Sequence, residues 1–197
     1  MYEAAVKKTE TTYANNDAAE QAMFVRAQTY YVKGQLYDPF TATTNQYEIK
    51  RAKELCEQVI AKFPKTAGAI NAQNMVAQIK QPALTLETEK VNIPAAPFRT
   101  LVNYKNAATV YFRVVKTSNE AIKKMDRREY EKWWKDVVGL QAIKNWSVTL
   151  PDLNDYQSHA AEIKIDGLSN GIYFILASLD PNFSLQKNII AKQITCI

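Results

Sequence analysis

The side chains that ordinarily titrate or attack near neutral pH are few: one histidine, His159, and two cysteines, Cys56 and Cys196. A hydroxyl or thiol nucleophile needs a base within hydrogen-bond reach, so any Ser/His/Asp or Cys/His set would have to be assembled around His159. That residue follows the turn-like stretch "NDYQS" and opens a strand, a setting that suits a turn or a sheet edge. Zinc of the familiar His/Cys types is excluded by one His and two distant Cys. The cysteines show no CxxC or Cys/His spacing, so free or buried thiols are expected rather than a disulfide, and the redox compartment stays undecided. "DLNDYQSH" brings Asp152, Asn154 and Asp155 together as oxygen donors that could hold calcium. It lacks the Gly and closing Glu of a helix-loop-helix calcium loop, and short acidic side chains commonly bond turn backbone instead. The five glycines form no phosphate-binding loop. The expectation is a chain with no catalytic residue, no metal and no cofactor.

Recognition chemistry has more material. Trp133 and Trp134 are adjacent, and neighbours on a helix point about 100° apart, so they cannot share one narrow stripe. Either the helix is wedged with two buried sides or one indole faces outward, where it could meet a partner or a sugar ring. A second aromatic group comprises Phe24, Tyr30, Tyr31, Tyr37 and Phe40. From these, Tyr31, Tyr37, Phe40 and Trp134 are the candidate interaction surface. Lys123, Lys124, Arg127 and Arg128 resemble a basic patch until Glu120, Asp126, Glu129, Glu131 and Asp136 are set beside them, which makes a solvated face. Asn145-Trp146-Ser147 and Asn182-Phe183-Ser184 fit the N-glycosylation triplet, a pattern frequent by chance.

The chain of 197 residues is 47% hydrophobic and 23% charged, a globular balance that speaks against disorder. No apolar run reaches the roughly 20 residues of a membrane helix, and the N-terminal stretch shows no signal peptide. The net charge of +5 is spread over the chain, which offers no tract for a phosphate backbone, so no nucleic acid is expected. Residues 17 to 37 repeat apolar side chains at Met23, Phe24, Ala27, Tyr30 and Tyr31, the 3/4 spacing of a helix, opened by a capping box at Asp17 and Glu20. "YEIKRAKELCEQVIAKF" sets Ile49, Ala52, Leu55, Cys56, Val59 and Ile60 on one face and is stopped near Pro64. "AGAINAQNMVAQI" aligns Ala69, Ala72, Val76 and Ile79 before Pro82. Phe24, Ala27, Tyr31, Gly34, Ala52, Cys56, Val59 and Pro64 keep a spacing that resembles a tetratricopeptide repeat, interrupted by "DPFTATTNQ" where a tight turn should be. A helical, tetratricopeptide-like domain is expected over 1–81.

After Pro82 the period becomes two. "LTLETEK", "RTLVNYK", "ATVYFRVVK", "KNWSVTL", "AAEIKID", "GIYFILAS" and "KNIIAKQITCI" read as strands separated by turn residues, the seven of an immunoglobulin-like sandwich over 82–197. A helix with Ile122, Met125, Trp133 and Val137 on one stripe is inserted at about 119–138, so the fold class is α+β in two domains. "DGLSNGIYFILAS" poses a choice. Asn170-Gly171 suits a hairpin turn, which would leave both flanking strands in one sheet. Leu168, Gly171 and Tyr173 suit a tyrosine corner, in which the chain changes sheets and the Tyr bonds back to upstream backbone. The strand after it is apolar at nearly every position, as if covered on both faces, one of them by the inserted helix.

The order of these pieces, through "KQPALTLETEK", "YEKWW" and "WSVTLPDLNDYQSHAAEIKIDGLSNGIYFILAS", is similar to the N-terminal part of large bacterial alpha-2-macroglobulin-like proteins over about residues 46–197. The resemblance implies a first macroglobulin domain whose late strand begins Leu-x-x-Gly-x-Tyr, within a protease trap that closes on an enzyme cleaving its bait. Such traps often hold a thioester written Cys-x-Glu-Gln. Here Cys56 is followed by Glu and Gln one position too early, and Cys196 by Ile197 alone, so no thioester residue is expected. "IIAKQITCI" ends in a strand-like run, as expected of a chain that continues. The resemblance thus implies a non-catalytic scaffold, exported to the periplasm or cell surface. Its partners would be later domains of the same longer chain, it would meet proteases only through the full-length protein, and a membrane only through an anchor outside this fragment. The alternative is a stand-alone protein- or glycan-binding module of the cell envelope.

Overall fold

The computed structural model describes residues 2–14, 17–125, 128–184 and 189–197, with the side chains of Tyr2, Glu3 and Asp17 left undescribed. The capping box expected at Asp17 therefore lies outside the described residues, as do Asp126 and Arg127 of the charged face. The chain is mixed helix and sheet and divides into two compact units, Met1–Gln81 with Leu153–Gln157, and Pro82–Asp152 with Ser158–Ile197. Five residues beyond Pro82 thus belong with the helices.

In the first unit the elements are α1 (Tyr2–Thr12), α2 (Asp17–Gln35), a 3-10 turn (Thr43–Asn45), α3 (Glu48–Lys62) and α4 (Ala67–Lys80). The apolar stripes read from the sequence meet in a core of Met23, Ala27, Leu55, Cys56, Val59 and Ala72. Ile49, Ala52 and Ile79 form a second cluster. Gly34 lies in the last turn of α2 against the start of α3, where an added Cβ would fall 2.4 Å from Ile49 Cγ1 and 2.7 Å from Ile49 N. Glycine is needed there for the close helix approach. The inserted "DPFTATTNQ" becomes an ordered turn because Asp38 Oδ1 accepts from the backbone N–H of Phe40 at 2.8 Å and of Thr41 at 2.7 Å. Helix α1, whose polar sequence gives no apolar stripe, is joined to α2 by an Arg26–Glu10 ion pair of 2.6 Å. Leu153–Gln157 completes the unit, with Gln157 Nε2 donating to the carbonyls of Gly34 at 2.9 Å and Gln46 at 3.2 Å. The Gly34 carbonyl, left by the end of α2 without an intrahelical partner, accepts from the Tyr37 N–H at 3.1 Å as well.

The second unit contains β1 (Ala83–Thr88), β2 (Val91–Asn92), β3 (Phe98–Lys105), β4 (Thr109–Thr117), α5 (Asn119–Lys124), α6 (Tyr130–Gly139), β5 (Ala142–Thr149), β6 (His159–Ile165), β7 (Gly171–Ser178) and β8 (Ile189–Cys196). Each of the seven expected runs forms a strand, and β2 adds a short edge. A three-stranded sheet runs β1-β3-β6 and a five-stranded sheet β2-β8-β7-β4-β5. All pairs are antiparallel except β2 with β8. Leu84, Leu86, Val102, Ile163 and Ile165 of one sheet and Val110, Phe112, Ile175 and Ile194 of the other share one core, so the sheets lie face to face.

The choice posed by Asn170-Gly171 resolves as a corner. Strand β6 pairs with β3 and β7 with β4 and β8, in different sheets. At the crossing, Tyr173 Oη donates to the Ser169 carbonyl at 2.9 Å. Gly171 has φ +152°, and an added Cβ would stand 3.3 Å from Tyr173 Oη. A hairpin would have kept both strands in one ladder, and the buried Tyr173 hydroxyl is satisfied at the corner instead.

The insertion is corrected in one respect. Two helices, α5 and α6, stand where one was expected, because α5 ends at Met125, whose φ of −84° and ψ of 108° are extended. Their apolar residues Ile122, Met125, Trp134 and Val137 pack with Phe174 and Leu176 of β7. Strand β7 is therefore covered on both faces, Tyr173, Ile175 and Ala177 facing the inter-sheet core and Phe174 and Leu176 the helices.

Candidate functional site

Covering only part of the five-stranded sheet, α6 leaves a cleft of about 710 Å3. The sequence builds it from two elements in opposition. Along α6, Trp133, Trp134 and Val137 recur at helical spacing and turn toward the sheet, with the exposed Tyr130 at the rim. Along β8, Ile189 and Ala191 continue the apolar cover, after which Gln193 and Thr195 make the same parity polar. Phe174 of β7 lies at the back, and Thr88, Lys90 and Val91 close the side where β1 leads into β2. The Lys90 carbonyl accepts from Thr195 N–H at 2.8 Å, which holds that side to β8.

The aromatic residues form an edge-to-face series. Trp133 and Trp134 ring centroids are 4.9 Å apart at 75°, Tyr130 and Trp134 6.2 Å at 77°, and Trp133 and Phe174 6.2 Å at 89°. Trp134, read from the sequence as a surface candidate, is a core residue at 6% exposure, with Trp133 half-buried above Phe174. The helix is thus wedged, with both indoles packed and the first partly open. Two polar atoms at the cleft are buried without a hydrogen-bond partner, Trp134 Nε1 and Thr88 Oγ1. Buried donors are paired in the great majority of cases, so each exception calls for an explanation. Lys90 and Lys192 border the cleft, Lys192 on the β8 parity of Ile190 and Ile194 rather than of Gln193, and among the described residues no acidic side chain lines it and neither lysine has an ion-pair partner.

The other sequence candidates lie apart from this cleft. Tyr31 is half-buried and packs against the Ile49, Ala52 and Ile79 cluster beside Tyr30 and Met75. Tyr37 is half-buried just after α2, whereas Phe40 is 90% exposed. His159 stands opposite Tyr104 in the β3–β6 ladder, ring centroids 5.8 Å apart, on the edge strand of its sheet. Both cysteines are free and buried. Burial, reinforced by the Glu57 charge, pushes the Cys56 thiol up to about 11, and burial also raises Cys196, so neither is an activated nucleophile. Asp155 uses Oδ1 on the Gln157 N–H at 3.0 Å and Oδ2 on Gln46 Nε2 at 2.9 Å, which is the turn reading of "DLNDYQSH". Among the described residues no group of three or more His, Cys, Asp or Glu could hold a metal ion, and no helix is long and apolar enough to cross a membrane.

Sequence reading found the indoles of the cleft but missed Thr88, Lys90, Lys192 and Gln193. The signal available was the change from Ile189 and Ala191 to Gln193 and Thr195 on one parity of the last strand, opposite a Trp-rich helix. It becomes informative only once β8 is known to lie under α6.

No protein family and no curated protein matches the sequence. Among solved structures, the CARDB domain of a Pyrococcus furiosus protein, determined in complex with di-metal ions, is similar at 12% identity and a TM-score of 0.35, over 59% of this chain and 88% of that one.

Proposed function

We propose that the chain is the N-terminal region of a bacterial alpha-2-macroglobulin-like protein, a helical segment plus first macroglobulin domain, and serves the protease trap as non-catalytic scaffold. The observation that carries this reading is the corner at Tyr173. The Leu168-x-x-Gly171-x-Tyr173 wording on which the family resemblance turns coincides with a Tyr173 hydroxyl bonded to Ser169 where the chain passes between sheets. In this reading β1 and β3 to β8 are the seven strands of an immunoglobulin-like sandwich, β2 is an edge addition, and α2 to α4 are a degenerate tetratricopeptide-like unit. The buried, unactivated thiols fit a part that positions other domains. Its partners are later domains of the same exported chain, and it meets proteases only through them.

The test compares this chain with the product of its complete reading frame against a general endoprotease acting on a large protein substrate. The scaffold reading expects the longer product to hinder cleavage and this chain to leave it unchanged. Stoichiometric inhibition by this chain alone, or a reading frame that stops soon after Ile197, overturns it. The second outcome favours a stand-alone binding module of the cell envelope, a reading supported by the aromatic cleft beneath α6.

A further inference from the structure

We propose that the open edge of β8 over Ile189–Lys192 takes up an extended peptide as an added antiparallel strand, with an acidic side chain opposite Lys192 and an apolar one opposite Ala191 that enters the cleft beneath α6. Such an occupant does not require a longer parent chain.

Backbone geometry defines the edge. The N–H groups of Thr195 and Ile197 point away from β7, to the carbonyls of Lys90 and Asn92. Backbone direction alternates along a strand, so the N–H and C=O groups of Ile189 and Ala191 point the same way. The β7–β8 register runs unbroken from Gly171 opposite Cys196 to Ser178 opposite Ile189, which keeps that alternation intact. Strand β2 covers only Thr195 and Cys196, and no other strand among the described residues pairs on that side. A row of donors and acceptors left open at a sheet edge is a template for another chain, whose main chain supplies the pairing and whose alternate side chains supply the specificity. Side chains at the outward-bonding positions face α6, since Ala191 stands beside Leu176 on the helix-covered face. Ala191 is small and half-buried, and it lines the cleft of about 710 Å3 together with Tyr130 and Trp133. A peptide residue opposite Ala191 directs its side chain into that aromatic-walled space.

Charge selects the occupant. Lys192 lies on the other parity, opposite Ile175, and is exposed. On the edge strands β5 and β6, charges are answered within the chain, Lys144 by Asp166 and Glu162 by Arg99. Lys192 has no ion-pair partner among the described residues. A lysine on an edge strand deters any strand that would cover it unanswered. Directly opposed residues are close enough for unlike charges to attract and like charges to repel. The same side chain therefore turns away most strands and admits one with an acid at that position. A second copy docking by this edge meets the deterrent, because Ile189–Cys196 holds no acidic residue and brings another Lys192.

The test is tryptophan fluorescence titration of the whole chain with acetyl-Thr-Glu-Phe-Thr-Val-amide, whose Glu meets Lys192 when its Phe meets Ala191. Saturable binding is expected. Methylating the peptide's Phe and Val amide nitrogens, which face β8, should abolish it, whereas methylating that of its Glu, which points away, should not. The Lys192→Glu variant should bind this peptide about tenfold more weakly and should prefer an analogue with Lys in place of Glu by a similar factor. Ala191→Pro removes an outward N–H at an edge where proline is tolerated, and should abolish binding with the chain still folded. Sedimentation without peptide should show a monomer. Absence of saturation, equal binding of the Phe- and Val-methylated peptide, indifference to the charge reversal at Lys192, or a dimer dispersed by Ala191→Pro overturns the proposal, the last by assigning the edge to a second copy. None of these outcomes bears on the protease assay, so the two readings fail separately.

Discussion

Strand β7 faces two interiors that the protein has finished differently. Toward the other sheet, Tyr173, Ile175 and Ala177 enter a core whose tyrosine hydroxyls both reach a carbonyl, Tyr173 to Ser169 at 2.9 Å and Tyr104 to Pro151 at 3.1 Å. Toward α6, Phe174 and Leu176 enter a cluster that stops at an open cleft, where Trp134 Nε1 is buried and unbonded. Both surroundings are apolar, so hydrophobic burial does not separate them. Hydrogen-bond closure does: the tyrosine hydroxyls of one interior are bonded within the chain, and the other holds an indole N–H without a partner.

The contrast breaks first under large truncations. Phe112, 1% exposed and stacked on Trp146 at 5.0 Å, sits in the closed core. Phe112→Ala should cost about 3–5 kcal/mol, since neighbours there cannot relax into the space. Phe174, equally buried, backs onto the cleft. Phe174→Ala should therefore cost less, about 2–3 kcal/mol, because water and α6 can occupy part of the void. Urea unfolding of the two variants decides it. A Phe174 variant as unstable as the Phe112 variant would mean that the cleft side is as tightly closed as the other.

Gly171→Ala comes next. The glycine has φ +152°, and a methyl group would meet Lys116 Cε at 3.0 Å and Tyr173 Oη at 3.3 Å. Strain of about 1–3 kcal/mol is expected, visible as a lowered thermal midpoint. An unaffected midpoint would show that the corner can shift without cost, and that the inter-sheet core is less rigid than its bonding suggests.

How far such features could be read from the chain depends on whether their cause is local. The strands of the sandwich were readable because alternation is a short-range pattern, and the helices α2 to α4 because their stripes are. The corner was readable as one of two choices, since Leu168, Gly171 and Tyr173 carry its geometry but only pairing with β4 and β8 excludes the hairpin. Helix α1 was not readable, as its packing rests on an ion pair with α2 and not on a stripe. Nor was β2, a two-residue parallel pairing with β8 that no local pattern encodes. The cleft divides in the same way. Trp133 and Trp134 stood out by adjacency, whereas Thr88, Lys90 and Lys192 become part of a site only through contacts across long stretches of sequence. Burial of Trp134 matches the wedged alternative for the pair, because α6 presents both indoles to the sheet.

The two smallest effects sharpen the contrast most, because each removes one hydroxyl and little else. Tyr173→Phe takes away a donor whose bond is made and leaves the Ser169 carbonyl without it. A cost of about 0.5–1.5 kcal/mol follows. Thr88→Val takes away a buried hydroxyl with no partner and replaces it with a methyl group of similar size. No bond is lost on that side of the balance, and an unsatisfied buried polar atom is itself unfavourable, so stability should stay within about 0.5 kcal/mol or rise. Matched chemical denaturation of the two variants without ligand reads the difference directly. If Thr88→Val costs as much as Tyr173→Phe, the hydroxyl has a partner within the folded chain, and the cleft is as self-sufficient as the core between the sheets. If the cost is absent, the Thr88 hydroxyl makes no stabilising bond within the folded chain, and the difference from Tyr173 stands.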